Sequence, residues 1–110
     1  MTRVDLHIHI SRNDTLLVNP ERIRLLRLVA STGSLLKASE KMGISYSKAW
    51  KLLEAVNKAS SDSVLKKVRG GKGGGGAVLT EYGKLILNEY DAIEKVVHQF
   101  MHQLNTEINL

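Results

Sequence analysis

The chain contains no cysteine and only one proline in 110 residues. Without cysteine there is no disulfide framework, no thiolate nucleophile and no cysteine-ligated zinc. A domain of this length buries roughly two-thirds of its unfolded surface and folds without such staples. No run approaches the ~20 consecutive apolar residues of a membrane span. The stretch Met1 to Ile10 is interrupted by Asp5, His7 and His9, so it lacks the apolar centre of a signal peptide. A cytoplasmic protein without membrane contact is expected. Also missing is any nucleophile, base and orienting acid arranged for catalysis, so neither an enzyme nor a bound cofactor is expected.

What the chain does have is positive charge, unevenly spread. The net charge is +5, but from Lys41 to Lys72 eight Lys or Arg face only Glu54 and Asp62, leaving −1 for the rest. A polyanion is the natural partner of such a concentration.

Val4, Leu6, Ile8 and Ile10 alternate with polar residues, which predicts a strand with one buried face. Ser11 to Asp14 is turn-like, and Thr15 to Val18 returns as a second short strand, giving an N-terminal hairpin. His7 and His9 share the polar face of the first strand, with no third metal ligand in view.

Asn19-Pro20-Glu21 starts a helix: a capping residue, a proline at the first helical position, then an acid at the positive end of the dipole. It runs through Ile23, Leu26, Val29 and Ala30 and stops at Gly33. Ser34 caps a second helix with Leu35, Ala38 and Met42 on one face, ended by Gly43. Ser45 caps a third, whose core stripe is Ala49, Leu52, Leu53 and Val56. Ser47, Lys51 and Lys58 fall opposite that stripe, Lys48 on a shoulder, and Trp50 at the edge of the buried face as a core anchor. Two short capped helices joined through Gly43-Ile44-Ser45 have the form of a helix-turn-helix unit.

Val64 to Arg69 then reads as a strand and Ala77 to Leu79 as its partner, with the glycine run Gly70 to Gly76 as a long flexible hairpin tip carrying Lys72. Thr80 caps a last helix that extends to about Leu104, roughly 37 Å at 1.5 Å per residue. Tyr82, Ile86, Ile93, Val97, Phe100 and Leu104 form a near-heptad stripe with Tyr90 beside it. So long an apolar stripe predicts a homodimer seam.

Two other patterns are weaker. Gly71-x-Gly73-x-x-Gly76 matches a dinucleotide fingerprint in spacing, but no helix follows and no βαβ unit is present. Glu94, His98 and His102 repeat at a spacing that suits zinc, yet no pocket or general base accompanies them, and no metal site is predicted.

The fold class is therefore mainly α with small β hairpins: a winged helix-turn-helix over 1–79 and a long dimerisation helix over 80–110. In such a fold the third helix enters the major groove and the hairpin reaches a neighbouring groove or backbone. Double-stranded DNA is the expected partner. Lys48, Lys51, Lys66, Lys67, Arg69 and Lys72 are expected mainly on phosphates, Ser45 and Gly73 near them, and Tyr46, Ser47 and Lys51 near base edges. The alternatives are a winged helix serving protein assembly and a small oxyanion- or metal-binding protein.

Leu25 to Leu87 resembles the N-terminal DNA-binding domain of the ModE-type, molybdate-responsive transcription regulators, relatives of the LysR-type regulators. The tract Gly33 to Ser45 and the run Leu79-Thr80-Glu81-Tyr82-Gly83 are shared in style by both groups. Gly43 to Trp50 and Gly70 to Thr80 are closer to the ModE type. The resemblance implies a dimer joined through the last helix and reading a palindromic operator. That family carries C-terminal oxyanion-binding domains for which a chain ending at Leu110 leaves no room, so a stand-alone reader without molybdate binding is expected.

Overall fold

The computed structural model describes residues 1–68 and 76–110. Four helices and two antiparallel hairpins follow one another as β1 (Ile10–Arg12), β2 (Thr15–Val18), α1 (Pro20–Thr32), α2 (Leu35–Met42), α3 (Tyr46–Ala59), β3 (Leu65–Val68), β4 (Gly76–Leu79) and α4 (Glu81–Glu107). This is the winged helix that the sequence predicts.

Each helix begins on the residue chosen for its capping chemistry. Asn19 Oδ1 accepts from Arg22 N at 2.9 Å, Ser34 Oγ from Lys37 N at 3.1 Å, Ser45 Oγ from Lys48 N at 3.0 Å, and Thr80 Oγ1 from Gly83 N at 3.1 Å. Each bond satisfies an amide that the first turn leaves without a helical acceptor. Gly33 and Gly43 close α1 and α2 at φ 69°, the left-handed region where a side chain would be strained.

The three-helix core is built from Ile23, Leu26 and Val29 of α1, Leu35 and Ala38 of α2, and Ala49, Leu53 and Val56 of α3. Two placements differ from expectation. Ala30 is exposed and Leu25 is buried instead, because α1 is covered on two sides, by its helical neighbours and by β2 and β4. Ser39 is also buried, and its hydroxyl donates to Leu36 O at 2.6 Å, which removes the cost of an unpaired polar group.

The N-terminal hairpin is narrower than predicted. Only Ile10 to Arg12 pairs with Thr15 to Val18, around a two-residue turn in which Asn13 and Asp14 both have positive φ, 52° and 63°. Residues 1–9 form no strand. They lie instead along α4, where Asn105 takes the place of a strand partner: Val4 N donates to Asn105 Oδ1 at 2.6 Å and Asn105 Nδ2 donates to Val4 O at 2.9 Å. Tyr90 Oη donates to Ile8 O at 3.3 Å. The alternation of Val4, Leu6 and Ile8 is spent on this docking while Ile10 pairs within the hairpin, and Leu6 remains exposed.

β3 and β4 pair in the register Leu65↔Leu79 to Val68↔Gly76. The hairpin is tied to the helices at two points, Ala77 N donating to Gly33 O at 2.9 Å and Thr80 N to Val64 O at 3.1 Å. α4 has 27 residues, about 40 Å at 1.5 Å per residue. It is the main reason for a longest dimension of 54 Å. Among the described residues no helix is long and apolar enough to cross a membrane.

Candidate nucleic-acid interface

The burial of Ala49, Leu53 and Val56 fixes the rotation of α3, and so decides what it shows to solvent. Ser45, Tyr46, Ser47, Lys48, Lys51 and Lys58 are all exposed. Ser45 spends its hydroxyl acceptor on the cap. The amides of Tyr46 and Ser47, in the same first turn, have no helical acceptor and carry the positive end of the dipole. Lys48 Nζ lies 3.9 Å from Glu21 Oε2, an exposed contact worth little in water. Among the described residues Lys51, Lys58, Lys66 and Lys67 make no ion pair, so their charge is available to an outside anion.

The wing strand adds to this face. Leu65 and Ala77 turn toward the helices, while Lys66, Lys67, Val68 and Val78 are exposed. Lys67 bends back over Trp50, its Nζ 4.7 Å from the ring centroid. Trp50 is half-buried rather than enclosed, and meets Tyr46 edge-on at 6.2 Å. It anchors the wing to α3 at the margin of the core, the edge position its spacing predicts. Arg69, Lys72 and Gly73, three of the sequence-chosen contacts, lie outside the described residues.

A groove of about 490 Å³ is lined by α1, β4 and α4, including Val29, Leu79, Lys84 and Leu87, and by no residue of α3. It holds no constellation of titratable groups. Glu94, which with His98 and His102 has a spacing that suits zinc although no metal site is predicted there, pairs with Arg27 at 3.1 Å.

The expected dimer seam divides in two. Ile86 and Tyr90 are buried within the protomer, Tyr90 to 2% exposure, and Tyr82 is half-buried against the same core. Beyond Tyr90 the helix outruns the core, and Ile93, Val96 and Phe100 face solvent, Val96 at 66% and Phe100 at 55%. Val97 and Leu104 are half-buried. Leu85 and Val96 are exposed apolar residues that the heptad reading missed, since one register cannot mark both an inward and an outward face.

Arg27 of α1 holds α4 at the point where that division falls. Its guanidinium pairs with Asp91 and with Glu94 and lies 5.8 Å from the Tyr90 ring centroid. The hydrogen bond to Asp91 is the main influence holding Arg27 above the ordinary arginine pKa; desolvation opposes it and Glu94 adds to it. Burial pushes the Tyr90 phenol up, Glu94 pushes it further, and Arg27 partly offsets both. No sequence signal marks this cluster, in which Arg27 lies more than sixty positions from its α4 partners.

No protein-family profile matches the chain. It is 36% identical over 107 residues to the transcriptional regulator ModE of Haemophilus influenzae, covering 97% of this chain and 42% of that protein. It is 40% identical over 81 residues to the DNA-binding transcriptional dual regulator ModE of Escherichia coli K12, covering 74% and 31%. With the molybdenum-pterin-binding protein MopB of Rhodobacter capsulatus the identity is 38% over 90 residues, covering 82% and 33%. The chain thus spans between 31% and 42% of the length of these relatives, a match consistent with the N-terminal DNA-binding domain of ModE-type regulators.

Proposed function

From its similarity to one part of the ModE-type regulators, we propose that this chain is a sequence-specific DNA-binding module of a transcription regulator, acting as a homodimer. The observation that carries the reading is the joint exposure of α3 and β3: a capped helix showing Tyr46, Ser47, Lys48 and Lys51 beside a strand showing Lys66, with no ion pair on Lys51 or Lys66 among the described residues. A major groove about 12 Å wide admits one helix, and helix-terminal amides with lysines beside them neutralise the flanking phosphates. Ser47 and Lys51 reach base edges. Lys48, Lys58 and Lys66 hold the backbone, and Arg69, Lys72 and Gly73 extend the contact from the wing.

The second half of α4 supplies the two-fold. Ile93, Val96 and Phe100 expose apolar surface that a second copy of the same helix would cover, with Leu104 continuing the line. Two reading heads related by that axis call for a palindromic site. Selection of bound sequences from random duplex DNA tests both statements together. Two-fold symmetric enrichment with half-sites about one helical turn apart is the expected result; no enrichment would favour a winged helix used for protein assembly.

A further inference from the structure

Lys66 and Lys67 are neighbours in sequence with the same charge, but strand alternation sends them to opposite faces of β3. Lys67 shares its face with buried Leu65 and turns toward α3, where its ammonium sits 4.7 Å from the centre of the Trp50 ring. Tyr46 meets the same indole nearly at right angles, 82° between planes. Together with Leu35, Leu65 and Ala77 these three side chains line a cleft of about 150 Å³ between the first turns of α3 and the base of the wing.

We propose that Trp50 is a positioning residue for Lys67, seating its ammonium at the junction of α3 and the wing as a pre-set contact for a DNA phosphate. The proposal rests on the DNA-binding function proposed above. A lysine on the open surface loses rotamer freedom when it grips a phosphate, and that loss weakens the contact. Lys67 is itself exposed, but its ammonium already rests over the indole in the free protein, where the face of the ring attracts the cation. An ammonium has three N–H donors and the ring occupies only one side of it, so donors remain for an anion on the other. Lys66, equally exposed but on the other face of the strand and without such a seat, lacks this advantage. The same contact couples wing to helix, so that both meet the DNA backbone as one unit.

The experiment is a double-substitution cycle on the full chain. Affinity for a fluorescein-labelled, random-sequence duplex is measured across a salt series for the wild type, Lys66→Gln, Lys67→Gln, Trp50→Leu, and Trp50→Leu combined with Lys67→Gln. Lys67→Gln is expected to weaken binding about two- to fivefold more than Lys66→Gln, the range of a partly exposed cation–π contact. Trp50→Leu should weaken the wild type by a similar factor and have no effect once Lys67 is neutral. Additive losses would overturn the proposal, since a tryptophan that only packs acts the same in either background.

If Trp50→Leu does not fold, Trp50→Phe keeps a weaker ring and should show the same coupling, reduced. A second readout needs no tryptophan variant. Trp50 is the only tryptophan, so its fluorescence reports this cleft alone; duplex should change it in the wild type and not in Lys67→Gln, and equal changes in both would also overturn the proposal. A wild type that binds with an additive cycle removes Trp50's positioning role only. A wild type with no salt-dependent binding removes the DNA-binding function, and this proposal with it.

Discussion

Gly83, in the first turn of α4, sits so close to Val64 that a Cβ at this position would overlap the Val64 carbonyl oxygen and come within 3.4 Å of the Leu79 Cβ. The same carbonyl accepts from Thr80 N at 3.1 Å, and Thr80 Oγ1 donates to Ser63 O at 2.6 Å. The start of α4 is therefore pressed against the loop that leads into the wing, and only a residue without a side chain permits the approach.

Gly83→Ala tests this closeness. In an exposed helix the change would add about 1 kcal/mol of stability through helix propensity. Here overpacking against backbone should outweigh that gain and leave a net loss of about 1–2 kcal/mol. Urea denaturation followed by circular dichroism measures it; an alanine variant as stable as the parent would mean that α4 starts further from Val64.

Tyr90 makes a prediction about pH. Burial raises its phenol above the ordinary value of about 10, so the neutral form is the one the fold prefers. The stability this provides is complete below that ordinary value and is lost as pH rises through the higher folded one. Tyr90→Phe should remove this part of the alkaline loss, at a constant cost of about 1 kcal/mol for the hydrogen bond to Ile8 O. Denaturation midpoints of the two proteins should converge as pH is raised from about 8 to about 10.5. Parallel curves would show that the phenol is not protected.

Much of this architecture is legible in the sequence, because caps and turn residues act locally. Asn19, Ser34, Ser45 and Thr80 each bond an amide three residues ahead, and a local rule finds them. What failed was non-local. The alternation from Val4 to Ile10 marks a half-covered extended segment, but nothing in it says whether the cover is a strand or the side of α4. The heptad stripe of α4 correctly marks apolar positions, yet Ile86 and Tyr90 meet their own core while Ile93 and Phe100 meet solvent. Periodicity gives the direction of a side chain relative to its helix and not the identity of what lies there. At the interface, exposure of Ser47, Lys48 and Lys51 follows from the core stripe, whereas the seat of Lys67 on Trp50 depends on how a strand crosses a helix.

Trp50 is expected to matter less for stability than a wholly enclosed tryptophan. Complete burial would make Trp50→Ala cost about 3–5 kcal/mol, and half-burial at the edge of the core reduces this to about 2–3 kcal/mol. A thermal scan read by circular dichroism decides it. No change in the midpoint would detach the indole from the core altogether.

The exposed apolar residues of α4 predict an effect on mass. Val96→Glu and Phe100→Glu place charge in the middle of the proposed seam, where burial of each parent side chain would contribute about 1.5–3 kcal/mol. Neither side chain supports the protomer's own core, so folding should be retained. Sedimentation equilibrium should move from dimer toward monomer for either variant. Dimers of undiminished strength would place the two-fold elsewhere on the chain.

Base reading and phosphate binding should separate when substitutions on α3 and β3 are compared. Lys66 stands on the outer face of the wing strand, so Lys66→Ala should weaken all duplexes alike and flatten the slope of log K against log salt by about 0.9. Ser47 lies on the exposed side of α3, opposite the Ala49, Leu53 and Val56 stripe, and carries no charge. Ser47→Ala should leave the salt slope unchanged and reduce discrimination at one position of each half-site by about 1 kcal/mol, the lower end for a direct base contact. Lys51→Ala, on the same face and cationic, should do both. Binding measured on the selected site and on single-base variants of it, at several salt concentrations, distinguishes the three. If Ser47→Ala and Lys51→Ala both weakened every sequence equally, α3 would lie along the backbone and not in the groove.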